Sequence, residues 1–225
     1  MLYRRLLYLF IFVMCFVAGC SNPPAARLAT VSYGDYAGAA FKTHCWSREP
    51  PEDVKVEVGK YFSGLALWYT HGGRISGDKQ YDLRTLYYTR ATAEKGDFLH
   101  WLSEEGRIHL ICPSRVVAMS ASVEIGFIHE PEAEIEDGVI LGTAFYFSGN
   151  NYHERYKDGE PLLYGRVHGH FVMKRNFVLA PGAVTLTAGL RLGCERMPVF
   201  VEGYLSSGMT WGFGLASEIN LNKLE

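Results

Sequence analysis

Charge is scarce in this sequence. Of its 225 residues only 20% are Asp, Glu, Lys or Arg, and the formal net charge is -2. A balance so near neutral gives no electrostatic footprint for nucleic acid, which needs a basic excess on one face. Long oily runs are lacking too. The charge-free stretch from Leu6 to Gly19 is shorter than the roughly 20 apolar residues a helix needs to cross about 30 Å of hydrocarbon. No G-x-S-x-G elbow is present to mark an α/β-hydrolase nucleophile. The D-x-[DN]-x-[DN]-G calcium loop is missing as well, as are internal repeats and low-complexity tracts.

What the sequence does have is alternation. Aromatic residues reach 14%, with 14 Tyr and 24 Gly, a composition that leans towards strands. Val117, Met119, Ala121, Val123, Ile125 and Phe127 alternate with small or polar residues. The same period of two runs through 184–192 and 211–221, and through 55–69, 81–92, 139–148, 162–173 and 199–206. Successive strand side chains point to opposite faces, so each segment has one apolar face and one small or polar face. Turn residues separate them, including Gly72-Gly73, Asp158-Gly159 and Pro181-Gly182. One stretch departs from the period. Phe98, Leu99, Trp101 and Leu102 have helical spacing after Asp97 and before Gly106, which predicts a short helix near 98–105 followed by a short strand over 108–112.

The fold class expected is all-β: an antiparallel meander of about eight or nine strands closing into a small barrel, or else a soluble sandwich or barrel. Both architectures produce the same alternation and differ in which face meets solvent or lipid. Segments of nine or more residues suit a tilted membrane strand. The polar face is mostly Gly, Ala, Ser and Thr, with isolated Glu124, Arg166, Arg191, Glu202 and Glu218; a few opposed charges fit a narrow interior better than a water-facing surface. The connections count the other way. They shorten towards the carboxyl end instead of alternating short and long, and the last strand lacks a terminal aromatic residue. A barrel this small would be filled by side chains and form no pore.

The chain starts Met1-Leu2-Tyr3-Arg4-Arg5, followed by the oily stretch and then Val17-Ala18-Gly19-Cys20. Two arginines before a short apolar core fit a secretory signal. The four residues ending at Cys20 resemble the lipobox of bacterial lipoproteins. That resemblance implies cleavage before Cys20, a diacylglycerol thioether on its sulfur and an acylated amino terminus, which together anchor a protein firmly to a membrane. Ser21 is similar to the residue that directs such proteins to the outer membrane. The domains expected are a signal at 1–19, a lipidated tether at 20–53 rich in Pro, Gly and Ala, and the β-domain at 54–225. "TLTAGLRLG" and "VFVEGYLSSGMTWGFGLASEINL" also resemble the closing hairpins of small outer-membrane barrels. Of Cys45, Cys112 and Cys194, the pairing favoured in an oxidising compartment is Cys45 with Cys112; buried free thiols are the alternative.

Candidate chemistry is sparse. His168 and His170 share a strand face near Tyr164 and Arg166, and His153 and Glu154 precede them. A metal needs three or four ligands and Arg166 repels one, so no metal and no cofactor is expected. A Ser–His dyad would need folding to bring Ser63 to His71, or Ser120 and Ser122 to a histidine of another strand. Glu130, Glu132, Glu134, Glu136 and Asp137 read as a solvated acidic turn rather than a calcium site. Phe145, Tyr146, Phe147 and Tyr152 fit core packing and a strand end, with an interfacial girdle or glycan stacking as the alternative. The function expected is a lipid-anchored outer-membrane component with a structural or interaction role and no catalysis. Its candidate partners are the membrane, lipopolysaccharide and other envelope proteins. The alternatives are a barrel enzyme acting on lipid A or phospholipid, and a soluble periplasmic barrel holding a hydrophobic ligand.

Overall fold

The computed structural model describes residues 27–31, 33–46, 61–76, 79–91, 98–110, 117–129, 137–149, 159–174, 179–193, 197–207 and 210–223. The signal, Cys20, Cys112 and Cys194 lie outside them. Ten strands run in chain order: β1 (Gly34–Trp46), β2 (Tyr61–Ser76), β3 (Lys79–Ala91), β4 (Phe98–His109), β5 (Val117–His129), β6 (Asp137–Gly149), β7 (Gly159–Lys174), β8 (Leu179–Gly193), β9 (Val199–Ser206) and β10 (Thr210–Asn220). Each pairs antiparallel with its neighbour in sequence, and β1 pairs with β10 to close the barrel. The meander is therefore as expected. A 3-10 turn over Leu221–Lys223 follows β10.

Two corrections concern strand count. The first strand lies at Gly34–Trp46, inside the stretch 20–53 read as a tether. Its small residues hid it, and they have a packing reason. Gly38 lies against the Trp68 indole, and buried Ala40 faces the same interior, so β1 gives up bulk where β2 supplies it. The second correction is at 98–105, where the expected helix is instead the first part of β4. Leu99 and Trp101 point inward while Phe98 and Leu102 point outward. Large apolar groups on both faces imitate a helical stripe: Leu99 and Trp101 belong to the interior cluster, whereas Phe98 and Leu102 are exposed.

The direction of the faces is settled by burial. Val123 is 70% exposed, Phe127 65% and Leu163 74%, whereas Trp101 and Asp82 are fully buried at 0% and Arg107 at 1%. The apolar face therefore points out and most of the charged residues point in, with Glu104 an outward exception that accepts from Thr85 Oγ1 at 2.6 Å. Glu124, Arg166, Arg191 and Glu202, the isolated charges of the polar face, are all buried in the lumen, and Glu218 is half-buried there. On β5 the outward apolar series runs from Val117 to Phe127. Ten steps of about 3.3 Å, tilted by about 40°, give a belt about 25 Å tall, the height of the apolar band on membrane-spanning barrels.

Polar groups collect at the two ends of this belt. At the end holding the start of β1 and the end of β10, the Tyr69 hydroxyl and His71 Nδ1 (2.9 Å) both reach Asp35, and the Asp35 N–H donates to Asn222 Oδ1 at 2.6 Å. That last bond ties the start of β1 to the residues after β10. At the closing seam, Gly212 faces His44 across the β1–β10 ladder, and a Cβ there would run into the Thr43 carbonyl and the Tyr204 ring. We expect Gly212→Val to lower the urea stability of the barrel in detergent by about 1–3 kcal/mol. Gly203→Val on the outer face, where the nearest side-chain atoms stand off by 3.8 Å, should change it far less.

Candidate functional site: a lumen closed by the amino-terminal segment

An eight-stranded barrel has an interior just wide enough for its own side chains. Ten strands enclose more space, and here a piece of backbone occupies it. Residues 27–31, which belong to the stretch read as a tether, lie inside the lumen and are all buried. Val31 N–H donates to His109 Nε2 at 2.7 Å, at the end of the barrel where β1 starts and β10 ends. Ala29 N–H donates to Ser148 Oγ at 3.0 Å. Arg27 lies deeper, so the chain runs into the lumen towards its amino-terminal side.

Charge holds the segment in place. The Arg27 guanidinium donates to Asp82 and, at 2.7 Å, to Glu105 Oε2. Arg107 grips Asp82 with two nitrogens, Nε at 3.2 Å and Nη2 at 2.6 Å. Its remaining hydrogens go to the segment's backbone: Nη1 to the Leu28 carbonyl, and Nη2 to the Thr30 carbonyl at 3.1 Å. Glu105 also accepts from the Ser122 hydroxyl at 2.6 Å and from Tyr146. Asp82 thus sits between two arginines, one from the wall and one from the inserted segment, and Glu105 neutralises part of the surplus. Charges taken out of water are tolerated only with this degree of pairing and hydrogen bonding. Apolar contacts complete the fit. Leu28 joins the cluster of Trp68, Leu86, Tyr88 and Trp101, and Ala29 packs with Ala118, Ala144 and Tyr146.

Beyond the segment the lumen is filled by further polar layers. Glu124 Oε2 lies 2.8 Å from His168 Nε2 and accepts from Trp101 Nε1 at 3.2 Å. Tyr164 donates to Glu202 at 3.0 Å, and the Lys42 ammonium lies 3.8 Å from the centre of the Tyr204 ring. The buried basic residues of the described chain number seven against four buried acids, so the filled interior is positive on balance.

The sequence-derived candidates separate accordingly. His168 and His170 do share the inward face and stack at 5.6 Å between ring centres, but Arg166 lies buried beside them. No group of three metal-ligating residues exists among the described residues. His153, Glu154, Tyr152 and Glu130 to Glu136 lie outside the described residues. Ser63 and His71 both point outward on β2, eight residues apart, which is about 26 Å along a strand, and form no dyad. Ser122 is taken by Glu105, and Ser120 is buried with no hydrogen-bond partner among the described residues. Phe145 and Phe147 face outward while Tyr146 is an interior ligand of Glu105; the three do not form one aromatic surface. Cys45 is buried in β1. Sequence reasoning missed Arg27, Asp82 and Arg107 altogether. Isolated charges at odd intervals were the only signal, and their partners are 25 to 78 residues away.

No family model matches the chain, and no curated protein does. Among solved structures the chain is similar to a KdgM porin, with a TM-score of 0.42 and 7% identity over 81% of this chain and 98% of that one. It is similar to LpxR from Salmonella typhimurium, with a TM-score of 0.41 and 9% identity over 81% and 99%. It is also similar to the β domain of the Bordetella autotransporter BrkA, with a TM-score of 0.39 and 13% identity over 83% and 98%.

Removing the shared carboxylate should show what the ion cluster contributes. Asp82→Ala leaves two buried guanidinium groups short of a partner, and we expect a loss of about 3–5 kcal/mol in urea unfolding. Arg27→Ala should cost less, because the wall pair of Asp82 and Arg107 survives. It should instead speed limited proteolysis within residues 20–33 of the folded protein.

Proposed function

We propose that this chain is a lipid-anchored barrel of the outer membrane, closed by its own amino-terminal segment, with a structural or interaction role in the envelope and no catalysis or transport. The observation that carries the reading is the outward apolar belt around a closed, internally charged barrel. Lipid cannot hydrogen-bond a backbone, so a spanning sheet must have no open edge and must turn its polar side chains inward. The belt height of about 25 Å and the polar clusters at its ends support the same placement. The soluble ligand-binding alternative calls for the reverse arrangement, with an apolar lumen and a polar outer face.

The inserted segment supports a closed barrel over a pore, since residues 27–31 and the side chains that hold them occupy the space solutes would use. In this reading Cys20 carries the lipid. Arg27 lies seven positions after it, a reach of at most about 25 Å, so anchor and plug are mechanically linked. Lipopolysaccharide or neighbouring envelope proteins are the partners proposed, met by the barrel's ends and outer wall.

Two measurements test the reading. A Cys20→Ala protein exported with a soluble-secretion signal should still fractionate with the outer membrane and migrate faster on gels before boiling than after. Recovery as folded, detergent-free protein in the periplasm would overturn the placement. Val123→Arg, in the middle of the outward belt of β5, should lower stability in lipid vesicles by about 2–4 kcal/mol. A change within about 0.5 kcal/mol, as on a water-facing surface, would count against it.

A further inference from the structure

Glu104 stands apart from the other charges of the barrel. It faces outward in the middle of β4, within the exposed series of Phe98, Leu102 and Ile108. Phe98 lies six residues before it and Ile108 four after it. At a rise of about 3.3 Å and a tilt of about 40°, those steps are about 15 and 10 Å along the barrel axis. A glutamate side chain is too short to snorkel that far, as Lys and Arg do near the ends of a span. Among the described residues no other Asp, Glu, Lys or Arg points outward between the strand ends.

The surroundings of Glu104 are mostly oily. Directly across the ladders stand Ile125 on β5 and Thr85 on β3. Leu83, Tyr87, Leu102 and Val123 complete the outward ring around them. The Thr85 hydroxyl donates to Glu104 Oε1 at 2.6 Å, and no basic side chain among the described residues pairs with the carboxylate. One neutral hydroxyl offsets little of the cost of a charge held in hydrocarbon. Gly106, two residues along the same face, leaves the approach open. A Cβ there would meet only Leu83 Cδ2, at 3.4 Å.

We infer that the outer wall at β3 and β4 docks a second membrane protein, whose spanning segment places a Lys or Arg at mid-depth against Glu104. Charge complementarity selects that occupant. Within a bilayer a carboxylate is tolerated when a cation or a strong donor meets it, and polar contacts of this kind join spanning segments. Basic residues of the described strands lie in the lumen or near strand ends, as Arg74, Lys79 and Lys174 do. A second copy in the same orientation therefore brings no cation to this depth. Lipid amines stay at the surface, about 10 Å or more away. The inference rests on the membrane placement proposed above and names the chemistry of one envelope partner.

The probes are two synthetic leucine–alanine spanning helices, one with a single central lysine and one with leucine there. Each is labelled and mixed with the full protein in phosphatidylcholine vesicles, whose headgroup has no hydrogen-bond donor, and association is read by energy transfer. The lysine helix should bind with about a tenfold or greater preference, the size expected for a charge-assisted hydrogen bond. Glu104→Gln should bring the two helices to parity. Gly106→Val should weaken binding of the lysine helix by narrowing the approach, and heat-dependent gel migration shows that each variant is folded. Equal binding by the wild type, a preference kept in Glu104→Gln, or binding unaffected by Gly106→Val would overturn the proposal. Energy transfer between labelled barrels that is lost in Glu104→Gln would assign the face to a second copy and also overturn it. Failure of the membrane placement would show separately, as folded protein that does not float with the vesicles.

Discussion

Asp82 accepts from two guanidinium groups at once, Arg107 from the wall and Arg27 from the inserted segment, and the interior depends on that shared carboxylate. Most charged side chains of the described strands point into the closed sheet. Once inside, an unpaired charge would face a severe desolvation penalty, so acids, backbone carbonyls and aromatic rings serve as partners to the more numerous bases. Asp82 and Glu105 answer Arg27 and Arg107, Glu124 meets His168, and the ring of Tyr204 receives Lys42. The same residues thus satisfy one another and fix the amino-terminal segment as a structural part of the barrel.

Strand number explains why a segment is needed. With ten strands the lumen exceeds what side chains of eight-stranded barrels fill. Large groups such as Trp101, Tyr88, Tyr146 and Phe200 account for part of the extra space. The backbone of residues 27–31 accounts for more, and its N–H and C=O groups meet Ser148, His109 and Arg107. Closure of the ladder and closure of the lumen are separate events in this fold. The first comes from β1 meeting β10, the second from the residues just before β1 turning inward.

The legible part of the fold came from strands with one plainly apolar face. β5 and β10 alternate so regularly that their length and pairing could be anticipated. β1 could not, because Gly38, Ala39 and Ala40 carry no face of their own and become a strand only beside Trp68 on one side and β10 on the other. β4 misled for the opposite reason, with bulky apolar groups on both faces. For the interior, the charges Glu124, Arg166, Arg191 and Glu202 were recognisable as suited to a narrow lumen, but their partners were not. The Arg27–Asp82 contact spans 55 residues of sequence, and no local pattern encodes it. The outward cluster of His100, His129 and Asp137 was equally hidden, since these residues become neighbours only through the registers of β4, β5 and β6.

By itself the sequence determined the alternation, the antiparallel order of the later strands and the scarcity of charge on the polar faces, because these follow from side-chain chemistry at a spacing of two. It left open which face would look outward, since a ribbon with one oily side is equally consistent with an oily core or an oily exterior. The tertiary structure decided that point by closing the sheet around its charged residues and drawing residues 27–31 in among them. Closure is a long-range pairing of the first strand with the last, and it converts a local two-sided pattern into an inside and an outside.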